Sequence, residues 1–201
     1  MEETYPLALA VVDFIPSLAF LAGTYFLVKL VRRERGAATA RMLMAGTGLI
    51  FLAGTLKAVW KLLYTLQIAD VRWLSEQQFV LSSMGFFGML VAVILFARGQ
   101  RQPKPQRAPG LMAMALWKIP LLAVMTISSL GAGGILSYMA FRRRAWLSGV
   151  LFAVFVISLL AMAGMSSGTQ TLARQWIEEL TNSTGQVSFA LAAYGLYRKC
   201  C

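Results

Sequence analysis

The sequence predicts an all-α integral membrane protein of six transmembrane helices, arranged as two inverted three-helix repeats. Three observations carry this reading. Of 201 residues, 58% are hydrophobic and only 13% charged, with a mean hydropathy of +0.66, outside the range of ordinary soluble domains. The apolar residues fall in six stretches, each long enough to cross roughly 30 Å of hydrocarbon as a helix. The polar stripes of a soluble bundle are nearly absent from them, and the period-two alternation of a barrel strand is missing. Finally, Arg41, Gly46, Trp73 and Glu76 recur 103 positions later as Arg144, Gly149, Trp176 and Glu179, and Ile15-Pro16 recurs 104 positions later as Ile119-Pro120. Each copy holds an odd number of spans, so two copies joined by one loop are expected to lie inverted, an architecture that sets sites near the bilayer midplane. The first repeat takes residues 1–97, a linker 98–117, and the second repeat 118–201.

Span one is expected at 7–30 and carries Asp13 three residues before Pro16. It follows Met1-Glu2-Glu3 rather than a basic leader, so it is expected to be retained. Span two, at 42–66, presents Gly46, Gly48 and Gly54 for close helix packing, then Lys57 and Lys61 one turn apart near its end. Span three, at 74–97, opens with Glu76 and continues through Gly85 and Gly88. The linker holds three prolines and four basic residues between Arg98 and Pro109, an extended connection, followed by an interfacial helix over Leu111–Lys118. Span four, at 118–140, starts with Lys118 and a proline suited to a helix start, Pro120. Its small residues from Ser128 to Gly134 serve close packing or, alternatively, local unwinding. Span five is expected at 146–166 and span six at 174–197, where Glu179, Asn182 and Gln186 at i, i+3 and i+7 share a face bordered by Ser183.

Ionisable groups at membrane depth are costly and require partners. Folding spans two and three as a hairpin about Ile68 brings Lys61 opposite Glu76, so an Asp13–Lys57/Lys61–Glu76 cluster is expected in one leaflet. Glu179 is expected in the other leaflet, with Lys118 as its counter-ion. A static clamp, or snorkelling to the interface, explains the same residues without a functional role. Orientation is ambiguous. Lys29, Arg32, Arg33, Arg35 and Arg41 share a side with the linker cations, expected to be cytoplasmic with both termini outside. Arg142, Arg143, Arg144, Arg198 and Lys199 conflict with this in an inverted six-span arrangement.

Several chemistries are excluded. The chain has no histidine, which removes His-based zinc and haem sites. It also leaves Gly164-Met-Ser166-Ser-Gly168, a nucleophile-elbow pattern in letters, without a base. Asn182-Ser-Thr184 is a glycosylation sequon inside a span, and the methionines are core filler. Cys200 and Cys201 offer no disulfide framework or metal site, although a terminal pair could accept a lipid. The net charge of +11 lies beside spans, suiting anionic lipid headgroups rather than nucleic acid. No cofactor, metal or enzymatic activity is expected. The expected function is a small transporter or channel of the plasma or inner membrane, with a solute or ion path between the repeats. Glu76 and Glu179 serve as coupling carboxylates, Asp13, Lys57, Lys61 and Lys118 as counter-charges, and Asn182 with Gln186 as solute ligands. The alternative is a non-catalytic membrane subunit or assembly factor, with a homo-oligomer or membrane-protein partner.

Overall fold

The computed structural model describes residues 6–98, 118–165 and 171–200, with residues 118–120 and 122 by backbone alone. Its described residues form helices α1 (Leu7–Val12), α2 (Phe14–Arg35), α3 (Ala37–Thr65), α4 (Arg72–Arg98), α5 (Lys118–Arg142), α6 (Trp146–Met165) and α7 (Leu172–Cys200). Helices α1 and α2 form one rod interrupted at Asp13. The interruption follows from Pro16, which has no N–H to offer the Val12 carbonyl and whose ring crowds it. Five helices are long and apolar enough to cross a membrane: Leu7–Arg35, Ala37–Thr65, Arg72–Arg98, Ala123–Arg142 and Trp146–Met165. The chain is therefore read as a helical integral membrane protein. The interfacial helix and most of the expected linker lie outside the described residues. So do Ser166, Gly168 and Cys201.

Each helix packs on its sequence neighbours, and α7 closes on α2, giving a ring in the order α2–α3–α4–α5–α6–α7. The turn from α2 to α3 is a single residue, Gly36, at φ 86° and ψ 177°, a conformation essentially confined to glycine. Glycines also set the closest helix approach. A Cβ on Gly46 would lie 2.7 Å from the Met89 nitrogen and 2.8 Å from the Gly85 carbonyl oxygen, so α3 and α4 meet backbone to backbone. Helix α5 is continuous through Ser128–Gly134, so the unwinding alternative is not realised there.

The two helix triplets run in the same direction. Down α4 and α5 in parallel, Ser83 Oγ donates to the Leu121 carbonyl at 2.9 Å, Leu90 packs on Gly131, and the Arg143 guanidinium lies 5.2 Å from the Phe96 ring centre. Rising residue numbers on both helices leave no antiparallel solution. The inverted arrangement expected from the odd span count is therefore corrected. Arg98 and Lys118, the two ends that the linker joins, lie at different levels of the ring, and α5 starts near the level of Ser83. Helices α2, α4, α5 and α7 run one way, α3 and α6 the other.

This direction resolves the charge conflict. Lys29, Arg32, Arg33 and Arg35 of α2, Arg41 of α3, Arg98 of α4, Arg142 of α5, Arg143 and Arg144 of the turn after it, and Arg198 and Lys199 of α7 all collect at one end of the ring. Asp13, Asp70, Glu76, Glu178 and Glu179 lie toward the other. The expectation of both termini on one side is corrected with it: Leu7 lies at the acidic end and Cys200 at the basic end. At the basic end Arg143 holds Glu34 through two hydrogen bonds of 2.6 and 2.7 Å and donates to Cys200 Sγ at 3.2 Å. This tie joins the ends of α2, α5 and α7, and it raises the Arg143 pKa, chiefly through the Glu34 hydrogen bonds.

Candidate functional site

Three buried ionisable side chains meet toward the acidic end. Lys61 Nζ donates to Glu179 Oε1 at 2.9 Å and lies 3.2 Å from Asp13 Oδ2. Each residue is delivered by a local feature. Asp13 sits at the break that Pro16 imposes, so its side chain turns into the ring, and it is only 5% exposed. Lys61 lies on the inward face of α3, about one turn from its end. Glu179 lies about two turns into α7, on a buried face with Gln175 and Gln186.

Helix α7 is less apolar than the five spans. Its polar stripe faces inward, whereas Ile177, Leu180 and Leu191 are more than half exposed around the outside. This is the reverse of a soluble amphipathic helix. Across the ring, Glu179 of this face meets Lys61 of α3.

The cluster confirms part of the sequence expectation and corrects part. Asp13 and Lys61 come together as expected, but the second carboxylate is Glu179, not Glu76. Glu76 is exposed on α4. The hairpin about Ile68 does set α3 beside α4, yet Lys61 points into the ring and Glu76 away from it. Glu179 was expected in the opposite leaflet beside Lys118. Its counter-ion is Lys61, because the second triplet is not inverted; the side chain of Lys118 lies outside the described residues. Gln186 Nε2 lies 3.5 Å from Asn182 Oδ1, so these two pair along α7, deeper than Glu179. Lys57, one turn before Lys61, is half-buried, and its charge acts on both Asp13 and Glu179.

Beside the cluster lies a cavity of about 750 Å³, inside the range of small-molecule sites. Lys57, Trp60 and Lys61 line it from α3, Ser75, Gln78, Phe79 and Phe86 from α4, and Met125, Thr126, Ser129 and Leu130 from α5. Leu159, Met162 and Ala163 of α6 and Gln175, Glu178 and Glu179 of α7 complete the wall. Asn182 and Gln186 are not part of it. Sequence reasoning missed Trp60, Gln78 and Gln175. The detectable signal for the last was its i, i+4 spacing from Glu179, which extends the polar face toward the helix start.

Toward the basic end the ring is filled with apolar side chains. Phe189 of α7 stacks on Phe20 at 5.0 Å between ring centres and contacts Phe155 and Phe152 at 5.1 and 5.9 Å. Met89, Phe96, Leu43 and Leu136 continue this core across the ring. Over the cavity, Trp60 Nε1 donates to Asp70 Oδ1 at 3.1 Å, and Asp70 Oδ2 accepts from Arg72 at 3.0 Å. The Trp60 and then the Arg72 hydrogen bonds hold the Asp70 carboxyl below its ordinary value. A depressed carboxyl pKa contributes order that is present above the unfolded value and lost as pH falls through the folded one. Acidification below the usual carboxylate range, about pH 4, is expected to release Trp60, read as a shift in tryptophan emission absent in Asp70→Asn. Groups of three or more His, Cys, Asp or Glu able to hold a metal ion are absent among the described residues. No family model, curated protein or solved structure matches the chain.

Proposed function

We propose that this protein is a small membrane carrier that takes a polar solute into the cavity between its helix triplets. The observation that supports it is the one-sided cavity: charged and polar residues line the half toward the acidic end, and the half toward the basic end is filled by the Phe189 core. A pore with water throughout would need polar lining along its whole length, and the aromatic core supplies none. A carrier instead binds from one side and repacks such a core to release to the other. Intramembrane ionisable residues mark solute and proton paths, and the Asp13–Lys61–Glu179 network ties three helices of the ring beside the cavity. It is therefore assigned the coupling role, with Glu179 as the coupling carboxylate and Asp13 and Lys61 as its charged partners. The two triplets are read as repeat units related by an axis along the ring, the arrangement of parallel-repeat transporters. The excess of cations at the basic end sets that end in the cytoplasm.

The test is uptake by proteoliposomes from a defined mixture of amino acids, organic acids, amines and sugars, read by mass spectrometry. Wild-type protein is expected to accumulate at least one solute class above protein-free vesicles. Glu179→Gln, folded by circular dichroism, is expected to lose at least about tenfold of that rate. No uptake by wild type, or unchanged uptake by the variant, would overturn the reading and favour the accessory-subunit alternative.

A further inference from the structure

We infer that the cavity binds a small organic monoanion, a carboxylate or sulfonate on an apolar body, and that it takes up one proton with it. The inference rests on the carrier reading only for its transport consequence. Its basis is the charge arrangement around Lys57. Among the described residues, Lys57 forms no ion pair or hydrogen bond, although it lines the cavity on the same face of α3 as Lys61. Lys61 is already held by Asp13 and Glu179. Glu178, the other carboxylate on the wall, lies 3.4 Å from Arg174. Lys57 is thus the lining cation that a ligand can engage. Around it, Trp60, Phe79, Phe86, Met125 and Met162 offer apolar surface for the ligand body, with Ser129 and Gln78 as polar contacts.

The proton follows from charge balance. Asp13 and Glu179 contribute two negative charges, Lys61 and Lys57 two positive ones, so the empty site is neutral with Lys57 acting on the carboxylates through space. An anion at Lys57 neutralises that lysine and leaves the carboxylate pair with one negative charge in excess. Excess charge is expensive inside a membrane ring. One proton on the Asp13–Glu179 pair restores neutrality, so anion and proton enter together. The groups facing Glu179 are few: Asp13 from the α1–α2 break, Lys57 and Lys61 from α3, and Gln175 and the Arg174-bound Glu178 from α7. Helix α6 has no ionisable residue, and those of α4, Arg72, Glu76 and Arg98, are absent from the cavity wall. By linkage, anion affinity rises as pH falls, by about tenfold per unit where the carboxylate pair is fully ionised.

The test is isothermal titration calorimetry of the purified full chain in nanodiscs with benzenesulfonate, whose charge is constant across the pH range used. Neutral benzenesulfonamide and cationic benzylamine are the controls. Buffers of different ionisation enthalpy count protons. Expected are binding of benzenesulfonate over both controls by at least about tenfold and uptake of about one proton. Lys57→Met is expected to lose that preference, and Glu179→Gln to bind the anion without proton uptake. If Lys57→Met fails to fold, the comparison of sulfonate with sulfonamide on wild type still decides. Binding without proton uptake, preference for benzylamine, or no binding by folded wild type overturns the inference. Anion-linked proton uptake without vesicle flux would sink the carrier reading alone, and uptake of amines or sugars only would sink the ligand class alone.

Discussion

Replacing Lys61 with methionine is expected to destabilise the protein by about 3–5 kcal/mol, the cost of leaving buried charges without their counter-ion. Lys61 is 6% exposed and is the nearest cation to both Asp13 and Glu179, at 3.2 and 2.9 Å. Methionine preserves the stem packing but removes the cation that both buried carboxylates contact. Thermal unfolding in detergent, followed by circular dichroism, is the measurement. The decisive comparison is the triple variant Lys61→Met, Asp13→Asn, Glu179→Gln. Removing all three charges is expected to recover most of the loss, because the penalty lies in unpaired charge rather than in missing attraction. A triple variant no more stable than Lys61→Met would show that the cluster is not energetically coupled.

Gly46→Leu is expected to cost about 3 kcal/mol, at the upper end of overpacking penalties. The atoms a side chain would meet are the Met89 nitrogen and the Gly85 carbonyl oxygen, which belong to the α4 backbone and cannot rotate aside. Separating α3 from α4 also disturbs Ile50, which packs on Gly85. Gly48→Leu is the internal control: it is exposed on the same helix with open space around it, so it is expected to be near neutral. Equal effects of the two substitutions, measured by thermal unfolding, would show that close approach of the α4 backbone does not govern this position.

The spans were legible because hydrocarbon imposes length and apolarity on any crossing helix. The expected 42–66 and 146–166 compare with Ala37–Thr65 and Trp146–Met165. Asp13 and Lys61 were legible as partners because the short α2–α3 connection and a break at proline constrain depth. Glu179 was assigned to the wrong partner for a physical reason: the direction of the second triplet is set by the packing of α5 on α4, which no apolar period encodes. The information was nonetheless present in Arg142–Arg144 and Arg198–Lys199. They conflicted with the first loop only under inversion, and the conflict disappears when α5 runs parallel to α4. Trp60 and Gln78 were not legible as cavity lining because the ring closure between α7 and α2 decides which faces turn inward.

The reversed amphipathicity of α7 bears on how the chain is assembled during synthesis. Helices α2 through α6 can each leave the protein-conducting channel and dissolve in lipid alone, since each is apolar enough to do so. Helix α7 cannot: released by itself, it would present Gln175, Glu179 and Gln186 to acyl chains. It must instead dock against α2 and α6 as it emerges, so that Lys61 meets Glu179 at the moment of insertion. The ion pair therefore acts as the latch by which α7 is retained after the helices before it, and membrane insertion and tertiary folding become a single event for that segment.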